Sequence, residues 1–249
     1  MSLLRTEALK KHFGQTRAVD GVDFIVNQGE FLSLVGTNGA GKTTLVNLIS
    51  AFLAPDSGRI FIGDRDITTA SVHERIRAGI ARSFQLVNLF DDLTVLDNVA
   101  LAIFARERKT QRILAVAERD TAVTREASEL LAAFGLAAKA DAPARGLAQG
   151  ERKLLDVAVA YALRPKLLFL DEPTSGVSTR DKAQIMDTVS AVVRGGGITA
   201  VVIEHDMDVV FKYSDRVVVM HEGRFLADGP PEEIRRNSEV AKHLLGTDV

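Results

Sequence analysis

Gly36-Thr37-Asn38-Gly39-Ala40-Gly41-Lys42-Thr43 follows the apolar run Phe31-Leu32-Ser33-Leu34-Val35 and precedes Thr44-Leu45-Val46-Asn47-Leu48-Ile49. The octapeptide fits G-x-x-x-x-G-K-[ST] at every position, the pattern of a loop that wraps a polyphosphate. Its glycines let the backbone pass through positive φ and approach an anion closely, so that successive N–H groups converge on phosphate oxygens. Lys42 supplies a point charge for β- and γ-phosphates and Thr43 a hydroxyl for Mg2+, while the helix expected from Gly41 turns its positive end toward the anion. Strand, loop and helix come in the order that such a site requires. A nucleoside triphosphate is therefore the expected ligand, held by residues 36–43 together with Thr44.

A second stretch, Leu167-Leu168-Phe169-Leu170-Asp171-Glu172, places two carboxylates at the carboxyl end of a buried strand. Open α/β sheets bind ligands at that end. Asp171 is the expected holder of Mg2+, directly or through water, and Glu172 the group that orients and polarises water for attack on a γ-phosphate.

Working outward, the first 30 residues read as β-structure with a turn at Asn27-Gln28-Gly29, and Arg59-Ile60-Phe61-Ile62 reads as a further strand. Ser71-Val72-His73-Glu74 is a capping box opening a short helix that stops near Gly79, before the strand Ile80-Ala81-Arg82-Ser83-Phe84. From about residue 87 to 163 the chain turns alanine- and leucine-rich, with helices expected over 127–134 and 152–163. Apolar strands then resume at 167–170, 199–203 and 216–220, the last paired through Glu222-Gly223 with 224–227. Continuous apolar strands alternating with helices predict an α/β core, a sheet covered on both faces, interrupted by a helical lobe.

Composition narrows the classes. With 249 residues, 46% of them hydrophobic, the chain can bury one large core, alone or with an attached lobe. A net charge of −2 gives no general drive toward nucleic acid. Without cysteine there are no disulfides, thiolate catalysts or thiolate-bound metals. No apolar run approaches the roughly 18 residues of a membrane span, and Met1-Ser2-Leu3-Leu4-Arg5-Thr6-Glu7 lacks the apolar core of a signal peptide, so no direct membrane insertion is expected.

Leu147-Ala148-Gln149-Gly150-Glu151-Arg152 stands just before the helix expected at 152–163. With the phosphate loop and the acidic pair, it resembles the signature of the ATP-binding cassette (ABC) ATPases, whose usual form is Leu-Ser-Gly-Gly-Gln. The resemblance covers nearly the whole chain and implies a P-loop NTPase core, mixed but mostly parallel and flanked by helices. It also implies an antiparallel β subdomain and an inserted helical subdomain: residues 1–86 and 164–249 would form the ATP-binding core, and 87–163 the lobe carrying the signature. Gln85 matches the glutamine that senses Mg2+ and water, and His205 in Ile203-Glu204-His205-Asp206 the switch histidine that contacts the γ-phosphate. Phe13 takes the place of the aromatic that stacks on adenine, with packing as its other reading. Asp171-Glu172-Pro173-Thr174-Ser175 extends the match into the family's D-loop.

The family also implies partners. Two cassettes pair head to tail, so that the phosphate loop of one and the signature of the other, here Ala148, Gln149 and Gly150, enclose each ATP. Ala148 departs from the usual serine and removes a hydroxyl from the γ-phosphate of the partner's site, which predicts weaker closure or slower hydrolysis there. Ser178 replaces the usual D-loop aspartate, which leaves cross-dimer coupling through it open. Among family members the chain is most similar to the ATP-binding subunits of branched-chain amino-acid importers. That likeness rests on His12-Phe13-Gly14, Ala18-Val19-Asp20-Gly21-Val22, Ala81-Arg82-Ser83-Phe84-Gln85 with Leu89-Phe90 and Leu93-Thr94-Val95, Glu204-His205-Asp206-Met207, Ala227-Asp228-Gly229-Pro230 and Ala241-Lys242-His243-Leu244-Leu245-Gly246. A lipopolysaccharide-export ATPase shares much of this frame. In either case the expected partners are a second cassette, identical or paralogous, and transmembrane permease subunits that hold the chain at the cytoplasmic face of the membrane; an importer adds a solute-binding protein. The apolar Leu86, Val87, Leu89, Phe90, Leu93, Val95 and Leu96 would then either receive a coupling helix of a permease or pack the lobe's own core. A non-transport cassette ATPase acting on nucleic acid would carry a long coiled-coil insertion or a second cassette, and neither is present in the sequence.

Overall fold

A computed structural model describes residues 1–83, 89–108 and 120–245, with side chains as far as 243. Numbered along the chain, the strands are β1 (Ser2–Phe13), β2 (Thr16–Val22), β3 (Ile25–Asn27), β4 (Phe31–Val35), β5 (Ser57–Ile62), β6 (Arg65–Asp66), β7 (Ile80–Ser83), β8 (Leu167–Asp171), β9 (Thr199–Ile203), β10 (Arg216–His221) and β11 (Arg224–Gly229). The main helices are α1 (Lys42–Ile49), α2 (Val72–Arg77), α3 (Val95–Arg106), α4 (Thr121–Ala133), α5 (Gln149–Ala162), α6 (Thr179–Gly195), α7 (Met207–Tyr213) and α8 (Pro231–Arg236).

Strands β4, β8 and β9 are buried at every residue, as strands covered on both faces must be. They lie inside a six-stranded sheet ordered β11-β10-β4-β9-β8-β7, parallel except for the edge pair β10–β11. Its register aligns Leu34 and Asp171 with the same residue, Ile203. The carboxyl ends of β4, β8 and β9 therefore open side by side, which puts the glycine loop, the acidic pair and the segment around His205 at one edge.

The second sheet is antiparallel, ordered β2-β1-β5-β6 with β3 also on β1. It meets the glycine loop through backbone contacts. Asp20 N donates to Gly223 O and Gly223 N to Ala40 O, both at 2.9 Å, so the β10–β11 turn is tied to β2 on one side and to the loop on the other. A Cβ at Gly41, whose φ is 107°, would lie 2.1 Å from Ala18 O, so only glycine fits there.

Two arginines tie helices to their neighbours. Arg75 of α2 is 2% exposed and donates to the carbonyls of Leu48 and Ile49, where α1 ends, and to Thr68 O at 2.8 Å. Burial pulls its pKa down to about 10, and the helix-end carbonyls it meets favour the cation. In the helical region, Arg106 at the end of α3 grips both oxygens of Glu126 on α4, at 2.7 and 2.8 Å, and the carbonyl of Ala162 at the end of α5, at 2.9 Å. That guanidinium holds the Glu126 carboxyl below the usual carboxylate range.

Helix boundaries differ from the sequence expectations in two places. Helix α4 begins at Thr121 rather than near 127, because Asp120 accepts from Val123 N at 3.2 Å and caps a first turn with little apolar periodicity. Helix α5 begins at Gln149, with Ala148 as its N-cap. Gly150 thus lies inside the first turn instead of preceding the helix; glycine is a poor helix former and reads locally as a break.

Candidate functional site

Gly36 can be nothing larger, since a Cβ there would sit 2.2 Å from Met220 O. The loop is thereby pressed against β10 and turns into α1 with Gly41 as N-cap. Asn38, Gly39, Ala40, Gly41, Lys42, Thr43 and Thr44 line a cavity of about 270 Å³ whose other walls are Ala18, Glu172, Ile203 and His205. Gly36 and Thr37 act from behind it: their carbonyls accept from Lys42 Nζ at 2.6 and 3.0 Å. Lys42 is 5% exposed, and burial pulls its pKa below the ordinary lysine range while the Glu172 and Asp171 carboxylates pull it back up. A buried ammonium backed by carbonyls and facing a cavity at a helix N-terminus is a receptor for an anion.

Opposite the loop, Glu172 has φ 48°, a conformation uncommon outside glycine, and its N–H donates to Ile203 O at 2.9 Å. Its Oε1 lies 2.9 Å from His205 Nε2. An ionised carboxylate only accepts, so in that state Nε2 carries the hydrogen. The pair presents a carboxylate and an imidazole on the wall facing the phosphate loop. Asp206, next in sequence, caps α7 by accepting from Asp208 N at 3.1 Å and pairs with Lys182 at 2.7 Å, which fixes the segment holding His205.

Asp171 ends β8 and is 5% exposed. Its Oδ2 accepts from Arg82 Nη2 at 2.6 Å, and Arg82 Nη1 donates to Asn47 Oδ1 of α1 at 2.6 Å, so β7, β8 and the phosphate-loop helix are cross-linked behind the site. With one carboxylate oxygen so engaged, Asp171 and the Thr43 hydroxyl are hard oxygen donors fit for Mg2+. Among the described residues no group of three or more His, Cys, Asp or Glu side chains could hold a metal. Gln85, the other expected metal contact, lies outside the described residues.

Ala148, Gln149 and Gly150 are not part of this cavity. Gln149 packs over Gly176, whose added Cβ would meet Gln149 Nε2 at 2.3 Å, and Gly150 faces Ile185 of α6. Glu151 Oε2 accepts from Ala148 N at 2.9 Å, whereas the alanine side chain offers the helix no cap. Ser178 caps α6, accepting from Asp181 N at 3.3 Å, a task that the expected aspartate would also perform. Phe13 ends β1 and is 49% exposed, with Lys11 Nζ 5.8 Å from its ring centre.

The apolar segment around residue 90 divides. Val95 is fully buried, and Leu89 and Leu96 pack against the core that includes α3, α4 and α5, whereas Phe90 and Leu93 are 62% and 37% exposed. Leu86 and Val87 lie outside the described residues. A separate apolar groove was not legible from the sequence: Phe52, Val72, Ile76, Ala81, Val159 and Leu163, from α1's end, α2, β7 and α5, help line a cavity of about 270 Å³. Arg82, Lys153, Thr174 and Glu204 were also missed. The available signals were a lysine on the apolar face of a helix and a glutamate directly after the apolar run Ala200-Val201-Val202-Ile203.

Residues 19–175 match the family model described as ABC transporter. The chain is 33% identical to the high-affinity branched-chain amino acid transport ATP-binding protein LivG of Salmonella typhimurium, over 98% of each chain. It is likewise 33% identical to the protein of the same description, BraF, of Pseudomonas aeruginosa, again over 98% of each. Among solved structures it is similar to the ADP conformation of MJ1267, an ATP-binding cassette of an ABC transporter, with TM-score 0.88 and 31% identity, covering 99% of this chain and 100% of that one.

Proposed function

Because the chain belongs to the ABC transporter family, and within it is an ATPase subunit with an α/β P-loop cassette fold, we propose that it drives a membrane permease by ATP-dependent closure of a head-to-tail dimer. One observation carries this reading: the phosphate loop, Glu172 and His205 share a cavity that Ala148, Gln149 and Gly150 do not line. A signature outside the cavity of its own phosphate loop is consistent with one that completes another chain's site.

In this reading Lys42 and the loop N–H groups hold the β- and γ-phosphates. Glu172 polarises a water, whose oxygen bonds to the γ-phosphorus as the β–γ bridging bond breaks, giving ADP and inorganic phosphate. His205 holds the Glu172 carboxylate at 2.9 Å and contacts the γ-phosphate. Thr43 and Asp171, with Gln85, hold Mg2+, which when bound neutralises charge on the phosphates. Phe13 stacks on the adenine.

The transported solute is a branched-chain or other amino acid, a class supported by the likeness to LivG and BraF, which are branched-chain amino acid transport ATP-binding proteins. Among the described residues no helix is long and apolar enough to cross a membrane. Contact with the membrane then runs through permease subunits at its cytoplasmic face, and a solute-binding protein takes part indirectly. The groove at Phe52, which is 50% exposed, together with Phe90 on the neighbouring lobe, is the apolar surface for a coupling helix of the permease. Phe52→Glu is expected to leave ATP hydrolysis by the isolated chain intact and to weaken assembly with the permease by about tenfold or more, the effect of losing one buried aromatic contact. Normal assembly and uptake by that folded variant would remove the groove from the interface.

Ala148→Ser is expected to act twice. As an N-cap it stabilises α5 by about 1 kcal/mol, read as a higher urea midpoint. As a donor to the partner's γ-phosphate it tightens ATP-driven dimerisation by a further 1.5–3 kcal/mol or so. A shifted midpoint with an unchanged dimerisation constant would confine the serine to capping.

A further inference from the structure

Glu204 is charged, directly follows the apolar strand β9, and is only 4% exposed. Burying a carboxylate costs several kcal/mol unless its oxygens find donors. Here they do, on two different loops. Oε1 accepts from Thr174 N at 3.0 Å and from Thr174 Oγ1 at 2.7 Å, and Oε2 accepts from His205 N at 3.2 Å. Thr174 is itself 1% exposed. Lys153 of α5, 5% exposed, donates to Glu172 O at 3.2 Å and Ser175 Oγ at 3.1 Å. The loop from Glu172 to Ser175 is thus held by two buried charges of opposite sign, one of which also grips the backbone of His205.

From this geometry we infer that Glu204 is a positioning residue of the hydrolytic site, setting the Glu172 carboxylate and the His205 imidazole at their hydrogen-bonded separation. It does not line the phosphate-loop cavity. It acts by bonding the backbone of the segment that follows Glu172 and the backbone of His205 with one rigid, two-oxygen group. An apolar residue in its place would fill the same buried position yet leave three donors on two loops unsatisfied. The inference rests on the assignment of Glu172 and His205 made above.

Glutamine separates bracing from packing. Its single oxygen can take both Thr174 donors, but its NH2 group then faces the His205 N–H, donor against donor. Glu204→Gln therefore keeps the Thr174 loop and releases His205. Its kcat for ATP hydrolysis is expected to fall about tenfold, the size seen when a supporting hydrogen bond to a reacting group is lost, with KM, affinity for a fluorescent N-methylanthraniloyl-ATP and urea midpoint unchanged. Thr174→Val, which removes one bond to the same carboxylate and retains the N–H, is expected to lower kcat by a smaller factor with the same split. The two are measured on the full chain beside Glu172→Gln. Hydrolysis by Glu172→Gln at the parent rate would overturn the assignment of the base, whatever Glu204 does. With Glu172→Gln inactive, parent-level kcat in both Glu204→Gln and Thr174→Val would overturn the positioning role alone. A loss of kcat matched by an equal loss of nucleotide affinity or of the urea midpoint would reduce Glu204 to a structural residue.

Discussion

Glu172→Gln is expected to bind ATP with parent affinity and to hydrolyse it about 10²- to 10⁴-fold more slowly, the range a positioned base contributes. The structure supplies the reasons. Glu172 carries its carboxylate on a backbone held at φ 48°, pinned through its N–H to Ile203 and through its carbonyl to Lys153. None of these bonds involves the carboxylate charge, so the amide variant inherits the same placement. What changes is the charge that polarises water and the acceptor opposite His205 Nε2. The groups proposed to bind phosphate, Lys42 and the N–H groups of the loop, are untouched, so affinity is expected to survive. A variant that loses hydrolysis and affinity together would place Glu172 among the binding groups instead.

Lys42→Ala is the counterpart, with the loss in binding. The ammonium is 5% exposed, held by the Gly36 and Thr37 carbonyls and set where it offsets Glu172 and Asp171. Removing it would take away the charged donor proposed for the β- and γ-phosphates and leave two carboxylates to repel them. Charge-assisted bonds of this kind are worth about 1.5–3 kcal/mol each, so the affinity for ATP should fall by a hundredfold or more, which is effectively loss of binding at working concentrations. Titration with a fluorescent ATP analogue reads this directly, and near-parent affinity would mean that the backbone N–H groups alone hold the anion.

Much of the fold was legible where local sequence and tertiary need coincide. The run Phe31-Leu32-Ser33-Leu34-Val35 has to be a strand covered on both faces, and it is buried throughout. The same holds for 167–171 and 199–203. The order β11-β10-β4-β9-β8-β7 was not legible, because it depends on pairings between segments far apart in sequence that leave no local mark. Helix starts were misjudged where the signals are weak. Gly150 hid the first turn of α5, and Asp120 announced α4 without apolar periodicity behind it.

The site divides in the same way. The loop at 36–44, Glu172 and His205 carry their chemistry in spacing and residue type, and the structure brings them to one cavity. Glu204, Lys153 and Arg82 act through partners supplied by other strands and helices, so nothing in their own neighbourhoods named Thr174, Ser175 or Asp171 as those partners. Ala148 shows the reverse: its departure from serine was plain in the sequence, but its place as an uncapped helix start emerged only from the fold.

The central claim is that this cavity is half of an ATP site, completed by the signature of a second cassette. Sedimentation velocity of Glu172→Gln with ATP and Mg2+, and again with ADP and Mg2+, tests it most directly. A dimer with ATP that returns to monomer with ADP is the expected result; identical sedimentation in both nucleotides, in a variant shown by titration to bind ATP, would contradict it.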